Sequence, residues 1–101
     1  MNVNHIALSG TIKRISSLQS PAGIPHWKIM LEHKSQRYEA ELLRNVYVQI
    51  QVVLSGERFT SITKNLKVDV DINVEGFIAL QTGRNGINRT VIHADNVELK
   101  T

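Results

Sequence analysis

The sequence predicts an all-β fold in which five strands close into a small barrel, with a short helical turn between the third and fourth. Three observations carry that expectation. Apolar and polar residues alternate along most of the chain, the period of a strand with one buried face. Glycines stand inside the first and fourth alternating runs, at Gly10 and Gly76, where a strand bends or bulges so that it can serve two sheets. One stretch breaks the alternation: Phe59, Ile62 and Leu66 repeat at helical spacing, suited to plugging one end of a core.

In the first strand Ile6, Leu8 and Ile12 share one parity with Gly10, and Ser9, Thr11 and Lys13 take the other. Ser16 to Pro25 carries serines, a glycine and two prolines and reads as an irregular loop. The second strand runs from His26 to about Lys34, with Trp27, Ile29, Leu31 and His33 on one face and Lys28, Met30, Glu32 and Lys34 on the other. Ser35 to Asn45 is polar and charged and reads as a long hairpin loop, with a helical turn over Glu39 to Arg44 as the alternative. The third strand turns Val46, Val48, Ile50, Val52 and Leu54 inward and Tyr47, Gln49 and Gln51 outward.

Gly56 ends that strand and the helical patch follows. The fourth strand places Val70, Ile72 and Val74 inward, and Gly76 is expected to reset its register, with Phe77 and Phe59 both in the core. Asn85-Gly86 marks a hairpin. The fifth strand, Thr90 to Leu99, is apolar at Val91, Ile92, Ala94, Val97 and Leu99. Three strands, a helical connection and two more strands are the order of an OB-fold Greek-key barrel. An SH3-like barrel is the competing architecture, and the helical patch favours the OB-fold.

Composition narrows the function. The chain has 101 residues, the size of a single domain spanning 1–101. It has no cysteine, which removes disulfide scaffolds, cysteine-zinc sites and thiol nucleophiles and fits the cytoplasm. The start, Met1 to His5, lacks a basic and then apolar leader, and apolar runs of about four residues do not span a membrane. The net charge is +3 with a pI near 9.5, a mild lean toward a polyanionic partner.

Nothing points to an enzyme, a cofactor or a bound metal. His5, His26, His33 and His93 show no metal-ligand spacing, and a lone strand histidine such as His33 or His93 reads as structural. Asp69 and Asp71 share a face near a strand start, the usual place of solvated charge. No Gly-rich loop ends in the Lys-Ser/Thr that a phosphate-binding loop needs.

Nucleic acid is the partner the pattern favours. Tyr47 lies on the wet parity of strand three, where a ring can stack a base or else pack under a loop or against another subunit. Lys34, Arg37 and Arg44 lie on strand two and the hairpin after it, positioned to flank Tyr47. Arg84 and Arg89 make a cationic tip in the loop between strands four and five. Trp27 shares the parity of Ile29 and Leu31 and reads as core or interface.

The segments LSGTIKR (Leu8 to Arg14), SPAGIPH (Ser20 to His26), LEHKS (Leu31 to Ser35), VEGFI (Val74 to Ile78) and NGINRTVIHADNVEL (Asn85 to Leu99) resemble the primosomal replication protein N (PriB) family, relatives of bacterial single-stranded DNA-binding protein. The resemblance covers nearly the whole chain, in order. It implies a homodimer that binds single-stranded DNA without sequence preference. It also implies binding to the restart helicase PriA, its stimulation at stalled forks, and help in recruiting the DnaT protein and then the helicase loader. By the same resemblance Lys34, Arg44, Tyr47, Arg84 and Arg89 match DNA-binding positions, Tyr47 replacing a tryptophan and the last two arginines replacing lysines. Thr82 and Leu18 stand where close relatives carry lysine, and Leu42 where they carry phenylalanine, so DNA binding is expected to be weaker. Lys13 and Arg14 partly offset Leu18.

The main expectation is therefore a sequence-tolerant single-strand-binding module of the replication-restart primosome. The alternative is a primosomal adaptor whose DNA affinity is incidental. RNA binding ranks below both, because clustered exposed aromatics are missing.

Overall fold

A computed structural model describes residues 2–100. Its first strand, β1 (Ile6–Gln19), serves two partners. Over Ile6 to Thr11 it pairs antiparallel with β4 (Asp71–Thr82), and from Thr11 onward with β2 (Pro25–Glu39). Gly10 sits at this handover. A Cβ there would run into the Glu32 carbonyl, so the two backbones meet only over a glycine. Past the handover Ile12 keeps the other edge closed: its N–H donates to the Val70 carbonyl at 2.9 Å and its carbonyl accepts from the Asp69 N–H at 2.8 Å.

The remaining elements are β3 (Leu42–Ser55), a 3₁₀ turn at Glu57–Phe59 running into α1 (Thr60–Thr63), and β5 (Asn88–Leu99). The strands form a closed barrel in the order β1-β2-β3-β5-β4, with β3 and β5 parallel and the other pairs antiparallel. This is the OB-fold, with the expected helical turn between the third and fourth strands. Inward alternation fills the barrel with Ile12, Ile29, Leu31, Val52, Leu54, Ile72, Val74 and Ile92. Phe59 and Leu66 close one end, as the helical spacing predicts, and Trp27 packs half-buried against the core. Each large apolar side chain so buried stabilises the fold by about 1.5–3 kcal/mol.

Three sequence readings are corrected. Ser35 to Asn45 is not a loop, and Glu39 to Arg44 is not helical. β2 and β3 run on past the barrel as a two-stranded ribbon that turns over Ala40 and Glu41 alone. Both residues have positive φ, 51° and 67°, which suits the twist of a two-residue hairpin. A ribbon wet on both faces carries no apolar alternation, so the pattern there looks like a loop. For the same reason β1 continues through Ser16 to Gln19, and the irregular segment shrinks to about Ser20 to Ile24.

The third correction concerns Phe77. Alternation in β4 runs unbroken through Gly76, and the extra residue is Asp95 in β5, between the pairs Glu75↔Asn96 and Gly76↔Ala94. Gly76 faces inward, where a Cβ would meet the His93 carbonyl. Phe77 therefore faces outward, and its ring stacks on His93 with centroids 5.0 Å apart.

Candidate nucleic-acid interface

The registers of β1, β2 and β3 lay out one outer face in rows. Ser16, Lys28 and Val53 make the first row; Arg14, Met30 and Gln51 the second; Thr11, Glu32 and Gln49 the third; Lys34 and Tyr47 the fourth. From Lys28 to Lys34 this face is about 20 Å long at the usual strand rise. A bulge in β1 enriches it. The register with β2 passes from Ile12↔Leu31 to Arg14↔Met30, so Lys13 is the extra residue. Lys13 and Arg14 are consequently both exposed, between buried Ile12 and half-buried Ile15.

Tyr47 is 56% exposed at the ribbon end of this face. The Lys34 ammonium lies 5.9 Å from its ring centroid. The Tyr47 hydroxyl donates to Glu32 Oε2 at 3.0 Å. Glu32 Oε1 lies 3.6 Å from Lys34 Nζ and 3.8 Å from Lys13 Nζ, and Lys13 also lies 3.9 Å from Asp69. The Tyr47 hydrogen bond, with Lys13 and Lys34 adding to it, holds the Glu32 carboxyl below its usual value against the opposing effect of partial desolvation. Desolvation first, and then the Glu32 contact, push the Tyr47 phenol above its usual value.

At the other end the β4–β5 loop folds over β2 and β3. Lys28, Gln51, Gln81, Thr82, Arg84 and Arg89 line one recess. The loop is ordered by its own bonds: Gly83 N–H to the Ile87 carbonyl at 2.9 Å, Gly86 N–H to the Gly83 carbonyl at 3.0 Å, and Ile87 N–H to Asn85 Oδ1 at 3.1 Å. Gly86 takes φ 76°, the conformation this turn reserves for glycine. On the floor of the recess Gln51 Nε2 is a buried donor with no partner, a group that gains from an acceptor arriving from outside. Among the described residues, no carboxylate lies within 4.0 Å of Arg14, Lys28, Arg84 or Arg89.

The structure thus brings Lys13, Arg14, Lys34, Tyr47, Arg84 and Arg89 onto one continuous face. Arg37 and Arg44 are elsewhere. They face each other across the ribbon, on the parity opposite to Lys34 and Tyr47, and Arg44 Nε lies 3.2 Å from Glu39 Oε1. Lys28, Gln51 and Glu32 belong to the face although the sequence pattern does not single them out. For Lys28 a signal exists, since strand parity alone puts it beside Lys34. His33 is structural in its contacts: its Nδ1–H donates to the Ser9 carbonyl at 2.7 Å, and its Nε2 hydrogen-bonds with the Ser35 hydroxyl at 2.8 Å. No group of His, Asp and Glu suited to a metal ion exists among the described residues.

A family model described as another single-strand binding protein family matches residues 4–96. The replication restart protein PriB of Shewanella woodyi is 68% identical over 101 residues, all of both chains. The chain belongs to the PriB family. PriB from Ralstonia solanacearum superposes with a TM-score of 0.80 at 22% identity, over 99% of this chain and 100% of the other. The single-stranded DNA-binding protein from Thermus aquaticus, as a deletion mutant, superposes with a TM-score of 0.82 at 19% identity, over 98% of this chain and 51% of the other. At such identities the two structures establish a shared fold. Within that PriB fold, the departures noted in the sequence fall at distinct places. Thr82 lines the recess, Leu18 pairs with His26 on the outer face of β1, and Leu42 sits on the Arg44 side of the ribbon.

Proposed function

We propose that this chain binds single-stranded DNA without sequence specificity, as an accessory protein of replication restart. The observation that carries the reading is the single outer face that runs from Lys28, Arg84 and Arg89 at the recess, past Lys13 and Arg14, to Lys34 and the exposed Tyr47 ring at the ribbon end. Cations along such a face neutralise phosphates and release counterions, and the ring stacks a base of any identity. Phosphate neutralisation and ring stacking act alike on every base, which makes binding tolerant of sequence. Kinship with the PriB and single-strand-binding families supports the same role.

The finer parts of the reading follow from that kinship. The chain acts as a homodimer in the cytoplasm, stimulates the restart helicase PriA, and helps bring in DnaT. Two protomers add avidity only if one strand spans both faces.

A second reading, a primosomal adaptor with incidental DNA affinity, is favoured by the ribbon. Its tip exposes Tyr38 and Leu43 on one face and Leu42 with Arg37 and Arg44 on the other, surfaces suited to a protein with acidic and apolar groups. Anisotropy titration of a labelled oligothymidine at low and physiological salt separates the two. The DNA-binding reading predicts salt-sensitive binding that Arg84→Ala/Arg89→Ala weakens. The log–log salt slope becomes shallower by about 1.4, or about 0.7 for each phosphate no longer neutralised. Absence of binding at low salt would leave the adaptor reading.

A further inference from the structure

The six cations of the outer face fall into two classes. Among the described residues Arg14, Lys28, Arg84 and Arg89 have no carboxylate within 4.0 Å, whereas Lys13 and Lys34 both lie against Glu32. Glu32 uses both of its oxygens there. Oε1 faces the two ammonium groups at 3.8 and 3.6 Å, and Oε2 accepts from the Tyr47 hydroxyl at 3.0 Å. Its side chain is 17% exposed and those of Lys13 and Lys34 are 41% and 71% exposed, so these are partly exposed ion pairs of modest strength. A carboxylate in this position is anomalous on a surface built for phosphate. It repels the ligand, satisfies two of the cations meant for it, and ties down the hydroxyl end of the ring on which a base stacks.

We propose that Glu32 is a resident anion of the single-strand face, one that a DNA phosphate must displace from Lys13 and Lys34. The proposal rests on the DNA-binding reading above and adds a device that limits affinity. At the unpaired cations DNA simply replaces counterions. At Lys13 and Lys34 it exchanges with a tethered carboxylate, so little is gained and few ions are released. Bound DNA is then held mainly by the recess at the β4–β5 loop, and the Tyr47 end reseals on Glu32 whenever a strand lets go. Held below its usual value by these same neighbours, the Glu32 carboxyl stays charged throughout the physiological range.

Glu32→Gln isolates the charge. Glutamine keeps an acceptor for the Tyr47 hydroxyl, and Glu32 faces outward, so the fold is expected to survive; circular dichroism and the melting temperature check that. Glu75→Gln, on β4 at a distance from the face, makes the same change in net charge outside it. Oligothymidine affinity and its salt slope are then measured for wild type, both single variants, and Glu32→Gln combined with Lys13→Ala/Lys34→Ala. Two exposed ion pairs released together correspond to about a 2- to 30-fold gain in affinity. Two cations made available steepen the slope by up to about 1.4. The proposal predicts that gain for Glu32→Gln alone, little change for Glu75→Gln, and loss of the gain in the triple variant. If wild type binds and Glu32→Gln binds no tighter than Glu75→Gln, the resident anion is wrong and the DNA-binding reading stands. If neither wild type nor Glu32→Gln binds at low salt, both fall.

Discussion

Tyr47 separates stacking from electrostatics more cleanly than any cation on the face. The residue is 56% exposed while its hydroxyl is engaged by Glu32 at 3.0 Å, so ring and hydroxyl do different jobs. Tyr47→Ala removes the plane on which the proposed binding mode stacks a base. Stacking of one base corresponds to about a 5- to 150-fold change in affinity, and a tyrosine ring belongs in the middle of that range. Tyr47→Phe keeps the plane and removes only the hydrogen bond to Glu32, which is internal to the protein, so it should lose much less affinity than Tyr47→Ala. Neither change touches a phosphate, so the log–log salt slope should stay the same in both. Because the ring is mostly outside the core, neither should lower the melting temperature much. The assay is anisotropy titration with oligothymidine and oligodeoxyadenosine at three salt concentrations. If Tyr47→Ala bound like wild type, or Tyr47→Phe lost as much as Tyr47→Ala, the ring would not be a stacking platform.

Three further outcomes follow from the fold. Gly76→Ala drives a methyl into the His93 carbonyl and should destabilise by at least about 2 kcal/mol, at the upper part of the usual overpacking range, read as a lower melting temperature in calorimetry. Ala40→Asn/Glu41→Gly relieves two left-handed residues at the ribbon turn and should stabilise by about 1 kcal/mol, read from denaturant unfolding at unchanged m. Glu32 has a folded pKa below its ordinary value of 4.5, so its contribution to stability is fully present above that value and is lost as pH falls through the lower, folded one. The melting-temperature difference between wild type and Glu32→Gln should therefore be constant at neutral pH and shrink below about pH 4.5; an unchanging difference down to about pH 2 would refute the assignment.

Much of the barrel is legible in the sequence because its strands are half-buried. Val46 to Val52 and Ile6 to Ile12 alternate, and their inward members include Ile12 and Val52 in the core with Ile6, Leu8 and Ile50 packed against it. Gly10 and Gly76 are readable as special strand positions, but as a bend and a register break rather than as the close backbone approaches they are. Legibility ends where burial ends. Ser16 to Gln19 and Ser35 to Asn45 are largely strand with water on both sides, so nothing imposes a period, and Ala40-Glu41 lacks the Asn-Gly signature of its turn. The outward turn of Phe77 follows from unbroken parity in β4; it is missed by placing the register break at Gly76, whereas the extra residue is Asp95 in β5.

The site divides in the same way. Parity finds Tyr47 and Lys34 on one face, and the hairpin signal finds Arg84 and Arg89. Parity puts Lys28 and Gln51 on that face too, but their meeting with Arg84 and Arg89 depends on the β4–β5 loop closing over β2 and β3, which no local pattern records. Arg37 and Arg44 look like members of the set in a loop of unknown direction. Once the ribbon is paired, parity turns them to the other side.

That division is the most direct test of the cationic face. Lys28→Ala removes a cation that the fold adds to the face, and Arg37→Ala removes one that it turns away. Their oligothymidine salt slopes should differ: shallower than wild type by about 0.7 for Lys28→Ala and unchanged for Arg37→Ala. The opposite pattern, with Arg37→Ala losing the slope and Lys28→Ala keeping it, would place DNA on the other side of the ribbon and contradict the face described for this chain.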